Sequence, residues 1–241
     1  MVINSQSIVG KIVAENYKAA SIFKKYNIDF CCNGNRTIAD ACNKKQIDEN
    51  RLIDELSETI NTKEAGDIDV KLFPLDLLTD YIEKTHHRYV EKKIPEITPF
   101  LQKVVSVHSG SHPELIEVEQ LFFDSTKDLS AHMKKEELML FPYIRLLVKT
   151  QLSDGKKPQT GIGSAATYIE QMEQEHTAEG ERFRRISGLT GNYTPPEDAC
   201  NTYRVTLSLL KEFEEDLHRH IHLENNILFP RSIQLEQQLE R

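Results

Sequence analysis

The sequence of 241 residues lacks the long apolar run that a membrane-spanning helix needs. Such a helix takes about 20 mainly apolar residues, and no stretch of this chain approaches about 18. A transmembrane protein is therefore excluded. The first 16 residues also lack the apolar stretch and the small-residue cleavage site of a secretory signal, so we expect a cytoplasmic protein that contacts no membrane.

Cysteine and excess basic charge are also scarce. The chain has only four cysteines, and two of them, Cys31 and Cys32, are adjacent, which is not the pattern of a disulfide scaffold and favours a reducing compartment. Lysine and arginine number 30 against 38 aspartates and glutamates, which gives a net charge of -8. The basic residues are scattered, and this argues against nucleic acid as a partner.

The distribution of histidine and cysteine divides the chain into two parts. All nine histidines lie at position 86 or later, whereas three of the four cysteines precede them. The segment between these parts is polar and contains a glycine, as is typical of a linker. We therefore predict a small helical, cysteine-containing domain at 1–62, a linker at 63–72 and a larger domain at 73–241.

The N-terminal part shows the apolar spacing of short helices, and Thr37 and Asp48 are candidate N-caps for two of them. About 60 residues form only a marginal core. We therefore expect this part to dock on the larger part or on a second copy of the chain, and a homodimer is the expected assembly.

The C-terminal part contains four long amphipathic segments, at about 74–108, 113–150, 164–187 and 197–239. Strand signals are nearly absent, and glycine and proline mark the breaks between segments. Thr194 and Glu197 form a capping-box pattern ahead of the last segment. The sequence thus predicts an all-α fold, in which an up-down-up-down four-helix bundle carries the small N-terminal helical domain.

A repeat within the bundle carries metal-ligand residue types. The pattern H-x3-E-x4-F-P occurs at 132–142 and again at 220–230, 88 residues apart. In each copy the histidine and the glutamate are four residues apart, so they lie one turn apart on one helix face. His132 and Glu136, and likewise His220 and Glu224, can therefore bind the same metal cluster.

Helical periodicity directs both of these pairs toward the core. Large apolar residues share their face, whereas lysines lie on the opposite side. A competing pair on the last helix, His218 and His222, shares its face with Lys211 and Glu215, and we assign it to the surface or to a role behind the ligands.

The first and third helices each add one inward histidine. His176 has apolar neighbours at helical spacing, and its i+4 neighbour is Gly180. In the first helix the apolar face passes between His86 and His87, so periodicity leaves both open. Spacing favours His87, because the inward histidines then follow one another at 45, 44 and 44 residues.

Four imidazoles and two carboxylates are enough for two metal ions bridged by the carboxylates. This donor set suits iron or manganese, whereas a structural zinc site is normally closed by cysteines. A single buried histidine is more often a hydrogen-bonded core residue. Two buried carboxylates, however, are costly unless they are paired or bound to a metal, so for the whole set we predict a metal centre.

The loop Asp29-Phe-Cys-Cys-Asn-Gly34 contains the adjacent thiols. A disulfide between neighbouring cysteines is strained, so Cys31 and Cys32 are expected to be free or bonded elsewhere. They are either two small buried side chains or, with Arg36 nearby, exposed reactive thiolates that serve transfer or redox chemistry. The other two cysteines, Cys42 and Cys200, fall in helical segments and are interpreted as structural.

These motifs resemble a known family. The cysteine loop, the H-x3-E pairs, Glu175-His176 and the Glu-Asn-Asn that precedes Leu-Phe-Pro are similar to those of iron-sulfur cluster repair proteins, the Repair of Iron Centers family. That family joins an N-terminal cysteine-containing domain to a hemerythrin-like di-iron bundle. The resemblance implies two iron ions, glutamate bridges and the following iron ligands: His87, His132, Glu136, His176, His220 and Glu224.

The resemblance also implies a function in the stress response. Family members restore iron-sulfur clusters damaged by oxidative or nitrosative stress, with damaged iron-sulfur proteins as partners, and are often homodimers in the bacterial cytoplasm. We therefore expect a non-enzymatic iron donor. Two alternatives stay open: a di-iron enzyme that reduces nitric oxide or peroxide, and a di-iron gas sensor. Reversible oxygen carriage is disfavoured, because hemerythrins have a further histidine where this chain has Gly180.

Overall fold

The computed structural model describes residues 2–61, 69–158 and 164–240. Most of the predicted linker, 63–68, lies outside the described residues, and Val70–Leu72 forms one 3-10 turn. The described residues are helical, with one isolated bridge and no strand, so the all-α prediction is confirmed. Among them, no helix combines the length and the apolar character needed to cross a bilayer.

Four short helices form the N-terminal part: α1 (Val9–Glu15), α2 (Ala19–Lys25), α3 (Ile38–Lys45) and α4 (Glu49–Asn61). Thr37 caps α3 in a reciprocal capping box with Asp40. Asp48 accepts a hydrogen bond of 3.2 Å from the backbone N–H of Arg51 at the start of α4. Both predicted N-caps are thus confirmed.

The C-terminal part contains four long bundle helices, three of which are interrupted by a five-residue π turn. The first joins α5 (Leu75–Ile82) and α6 (Arg88–His108), the second α7 (Glu114–Lys135) and α8 (Phe141–Leu152), the third is α9 (Ala165–Leu189), and the fourth joins α10 (Asn201–Leu223) and α11 (Phe229–Leu239). The first packs against the second and fourth, and the third packs against the same two. This is the predicted up-down-up-down arrangement.

The fourth bundle helix begins later than the sequence indicates. It starts at Asn201, so the predicted capping box of Thr194 and Glu197 is wrong. Gly191, Asn192 and Tyr193 all have left-handed backbone, with φ between 54° and 59°, and they turn the chain ahead of the two prolines. The backbone N–H of Thr194 donates to the carbonyl of Thr190, at the end of the third helix.

The apolar core is divided by a polar layer. One buried cluster contains residues such as Val90, Phe183 and Leu217, and a second contains Ile82, Met172 and others on the opposite side of the layer. The first cluster also includes the apolar faces of the N-terminal helices, so these helices dock on the bundle, as expected for so small a part. The layer between the clusters holds buried histidine and glutamate.

Candidate metal centre

The π turns begin at the residues of this polar layer. The backbone N–H of Phe141 donates to the carbonyl of Glu136, five residues back, and Phe229 donates to Glu224 in the same way. In both copies of the repeat a proline follows the phenylalanine, and because proline has no N–H it cannot continue the regular i→i−4 pattern. The first bundle helix has its own π turn at Glu83–His87. The H-x3-E-x4-F-P pattern therefore specifies a widened turn at its carboxylate.

The structure brings all six predicted ligand residues together in two groups. His87 and His220 belong to the first candidate cation position, and His132 and His176 belong to the second. Both groups also contain Glu136 and Glu224, and in each group the ligand atoms lie within 4.8 Å of one another. The six side chains are between 0% and 3% exposed.

The distances between donor atoms suit first-row ions. Five of them lie between 3.0 Å, for the Nε2 atoms of His132 and His176, and 3.4 Å, for Nε2 of His87 and Oε2 of Glu136. Two ligands about 2.1 Å from one ion lie about 3.0 Å apart in octahedral geometry and about 3.4 Å apart in tetrahedral geometry. The spacing is therefore that of ligands around a shared ion.

Unpaired polar atoms point to the same conclusion. Within the described part of the chain, neither carboxylate oxygen of Glu136 has a hydrogen-bond partner, and the same is true of Nε2 of His87. Oε2 of Glu224 lies 3.2 Å from Nε2 of His176. A buried carboxylate without partners is strongly destabilising. These residues therefore fit a pair of cations that share both glutamates.

The charges within the layer favour the ionised form of Glu224, which is the form that binds a metal. Burial raises the pKa of Glu224, but the charges and hydrogen bonds of His220 and His176 outweigh it and hold this pKa well below its usual range. Burial lowers the pKa of His176, but the hydrogen bond and charge of Glu224 raise it to about 9. Cation binding therefore competes with a proton on His176.

Three of the four ligand histidines are braced through their Nδ1 atoms. Such a partner fixes the ring and directs the Nε2 lone pair at the ion. The braces are Glu137 on His87 at 3.1 Å, Glu175 on His132 at 2.8 Å and Asn225 on His176 at 2.7 Å. The Nδ1 atom of His220 has no partner among the described residues.

His86, which the sequence left open as a ligand, lies outside both groups. Its Nδ1 is 2.9 Å from Oδ1 of Asp216, and its ring stacks on that of His220 at 5.6 Å. His87, and not His86, belongs to a group of atoms that could hold a metal ion. The π turn accommodates two adjacent buried histidines with different partners.

The second cation position has a route to solvent. A cavity of about 170 Å³ is lined by both of its histidines, by Asp128 and Glu179, and by Glu175 with Lys135. Glu175 bonds Lys135 as well as His132, and these bonds lower its pKa to about 2 even though burial opposes the shift. An ionised carboxylate thus stands at the entrance.

The cysteine loop lies directly on the second position. The Cys32 thiol donates to the carbonyl oxygen of His176 at 3.2 Å, and the amide of Asn225 donates to the carbonyl of Cys31 at 3.1 Å. Asn225 therefore bridges a ligand histidine and the loop. A Cβ at Gly180 would lie 3.0 Å from the Cys32 sulfur, so the small residue makes room for the thiol.

The thiols differ from the exposed thiolates that were one expectation. Both are free, but Cys31 is buried and Cys32 is half-buried. The neighbouring Cys32 thiol, burial and the Asp29 carboxylate all raise the pKa of Cys31 well above its usual range. Arg36 bonds the carbonyl of Asp29 rather than a sulfur.

The rejected histidines of the fourth bundle helix have a structural role. His222 is buried, with Tyr17 and Phe30 of the N-terminal part 5.5 and 6.0 Å from its ring. Asn226 bonds both His222 and the carbonyl of Phe30, and a Cβ at Gly10 would lie 2.2 Å from its Oδ1. The polar residues of this face are buried because the N-terminal helices cover them and supply their contacts.

Comparison with known proteins identifies both parts of the chain. Residues 5–60 match a family described as a domain of unknown function, DUF542, and residues 78–232 match the hemerythrin HHE cation-binding domain. An iron-sulfur cluster repair protein, ScdA, of Staphylococcus haemolyticus is 35% identical over 94% of this chain and 98% of its own. A second relative, the iron-sulfur cluster repair protein YtfE of Musicola paradisiaca, is 36% identical over 95% of this chain and 96% of its own.

A third relative, the YtfE protein of Yersinia pseudotuberculosis, is 36% identical over 91% of this chain and 93% of its own. These matches span both parts of the chain, and the bundle contains the buried histidine and glutamate groups that a cation-binding domain requires. The chain belongs to the family of iron-sulfur cluster repair proteins with a hemerythrin HHE cation-binding domain.

Proposed function

We propose that this protein holds two iron ions and supplies iron to iron-sulfur proteins whose clusters have been damaged by oxidative or nitrosative stress. One observation carries the proposal: two groups of buried ligand atoms share Glu136 and Glu224, whose oxygens lack other partners. Imidazole and carboxylate without thiolate suit iron among the first-row metals. The names of the relatives support the repair role.

The chain's own residues favour release as well as binding. The second position adjoins a cavity lined by Glu175 and Lys135, so rotation of these two side chains opens a path for a cation. The proton that His176 takes up when its ion leaves offsets part of the lost charge, since Glu224 stabilises the protonated ring. The carboxylates thus keep a buried partner after release.

The proposal extends to organisation and location. We infer a cysteine-containing domain at 1–62, a linker at 63–72 and the cation-binding bundle at 73–241, acting in the cytoplasm. The client is a damaged iron-sulfur protein.

The test is anaerobic and has two stages. Iron per chain is first measured in wild type, in Glu136→Ala/Glu224→Ala and in Glu173→Ala, which changes an exposed glutamate of the third bundle helix. We expect about two irons in wild type and the control and almost none in the double variant. Substoichiometric iron that the double variant leaves unchanged would contradict the di-iron assignment.

Loaded protein is then incubated with a cluster-damaged dehydratase. We expect its activity to return faster than with an equal amount of free ferrous iron. Equal rates would contradict donation while leaving the di-iron site intact.

A second candidate, reduction of nitric oxide or peroxide, is favoured by one observation. Each group supplies only four protein ligand atoms, so an octahedral ion would keep open positions beside the cavity. When bound, iron there would supply electrons to a small substrate. Reduction of two nitric oxide molecules to nitrous oxide and water takes two electrons and two protons and would leave both irons ferric, so the assay includes an added reductant such as dithionite, with a protein-free blank. Multiple turnovers above the blank would support this candidate, whereas at most one turnover would exclude it.

A further inference from the structure

The turn at residues 29–32 gathers three further ligand-type atoms. Oδ1 of Asp29 accepts the backbone N–H groups of Cys31 and Cys32 at 3.1 and 3.0 Å. These bonds fold the chain so that two consecutive side chains, which would diverge on an extended strand, lie together. The three atoms, one oxygen and two sulfurs, lie within 4.8 Å of one another.

Their separations are those of ligands on one ion. The two sulfurs are 3.8 Å apart, and the Cys31 sulfur is 3.5 Å from Oδ1 of Asp29. In a tetrahedral site, metal–sulfur bonds of about 2.3 Å put sulfurs about 3.8 Å apart, and a metal–oxygen bond of about 2.0–2.2 Å puts oxygen about 3.5–3.6 Å from sulfur. A disulfide would need the sulfurs at about 2.05 Å.

Charge supports a divalent ion. Two thiolates and the Asp29 carboxylate carry three negative charges, and Nη2 of Arg184 lies 3.1 Å from the other oxygen of Asp29. A divalent ion would bring this set to neutrality. In the metal-free chain the Cys32 thiol donates a hydrogen bond to the carbonyl oxygen of His176.

The three candidate ligands adjoin an open cleft. Asp29 and Cys31 line a cleft of about 650 Å³ between the N-terminal helices and the bundle, together with Lys24, Arg184 and Lys211. A structural thiolate site is closed by four protein ligands, whereas an open one exchanges its ion or takes an incoming ligand. The basic side chains favour an anionic incoming ligand, such as a carboxylate or thiolate of a client.

We propose that Asp29, Cys31 and Cys32 bind one divalent cation through a carboxylate and two thiolates, with a fourth position open to the cleft. Ferrous iron occupies this site, the transfer station, on its way from the second cation position to the client. This role rests on the proposed function. Binding of the ion releases two thiol protons to solvent, and the iron stays ferrous, so no electron acceptor is needed.

Cobalt(II) alone is the probe, because its thiolate complexes give intense charge-transfer absorption and its tetrahedral complexes give strong visible bands. Full-length protein is first loaded anaerobically with iron and then titrated with Co²⁺. We expect one Co²⁺ per chain with thiolate absorption. Cys31→Ser/Cys32→Ser should lose this absorption and keep its iron, and Cys42→Ser, which changes a buried cysteine of α3, should keep both.

Asp29→Asn should weaken cobalt binding at least tenfold without changing the iron content. Absence of thiolate absorption in wild type would overturn the proposal, as would its survival in Cys31→Ser/Cys32→Ser. Circular dichroism and iron content report whether that variant folds, and if it does not, Cys32→Ser alone carries the test because Cys32 is only half-buried.

The same titration separates this site from the proposed function. Glu136→Ala/Glu224→Ala should bind Co²⁺ at the thiols even when the bundle holds no iron. If the thiolate absorption appears and iron donation fails, the cation site is confirmed, but it carries an ion other than iron for a client. If donation succeeds without thiolate absorption, the repair role stands and the station is rejected.

Discussion

The two cation positions share both carboxylates but differ in their surroundings. At both positions a histidine stacks on a phenylalanine, His87 on Phe141 at 5.5 Å and His176 on Phe229 at 5.8 Å, and the first position, at His87 and His220, also has His86 stacked on His220. The second adjoins a cavity and lies under the cysteine loop. Identical ligand sets thus meet opposite conditions for exchange. We infer that the first position retains its ion and that the second gives its ion up.

The largest expected effect is the loss of iron from both cation positions at once. Glu136→Ala deletes a ligand that both positions share, so we expect iron per chain to fall from about two to near zero, measured by metal analysis after anaerobic purification. Retention of one tightly bound iron would show that Glu136 belongs to one position only. Glu173→Ala is the matched surface control.

A matched pair of variants tests the braces. Glu175→Ala removes the partner of His132, and Glu137→Ala removes the partner of His87. Loss of such a partner typically costs 10- to 100-fold in metal affinity. We therefore expect each variant to weaken one iron and leave the other, as measured by competition with a chelator. An equal loss of both ions in either variant would contradict separate positions.

Release kinetics sharpen the comparison further. When a ferrous chelator is added to loaded wild-type protein, we expect two phases, with the ion of the second position leaving about tenfold or more faster, in keeping with local opening of a site beside a cavity. His132→Ala should leave only the slow phase, and His87→Ala only the fast one. A single phase in wild type would show that the surroundings do not matter.

The last prediction concerns stability, at a buried glutamate of the fourth bundle helix that faces Lys24 of the N-terminal helices. Burial raises the pKa of Glu214 to about 7, against the charge of Lys24 on α2, so the folded chain favours the neutral carboxyl. This contribution is complete below about pH 4.5 and is lost as pH rises through 7. Glu214→Gln should therefore exceed wild type in free energy of unfolding above pH 7, by at most about 3 kcal/mol. The difference should vanish below about pH 4.5 in urea titrations.

The fold and the clustering of the six candidate ligand side chains were largely predictable because both depend on periodic patterns. Apolar spacing gives the bundle, and each of the two copies of H-x3-E gives one inward pair. The late start of the fourth bundle helix was missed because three left-handed residues, one of them Tyr193, override a valid capping pattern. A capping pattern depends on a few neighbouring residues, and these do not show how the chain turns just before them.

The contacts behind the ligands were less predictable. Asn225 and His222 both occupy a face that a helical wheel assigns to solvent, because the wheel does not contain the N-terminal helices that cover it. Asp29 likewise has no ligand signal of its own until the turn brings it beside two sulfurs. Such residues are defined by long-range contacts.

The π turns have a consequence for how genes of this kind can vary in length. A one-residue deletion in an ordinary helix rotates everything that follows by about 100°. In a five-residue turn such as Glu136–Leu140, losing the exposed Leu138 would return the helix to regular α geometry with its two flanks in register. We expect a single-codon deletion there to keep the fold and all six candidate ligand residues, and to change the direction in which the Glu136 carboxylate points.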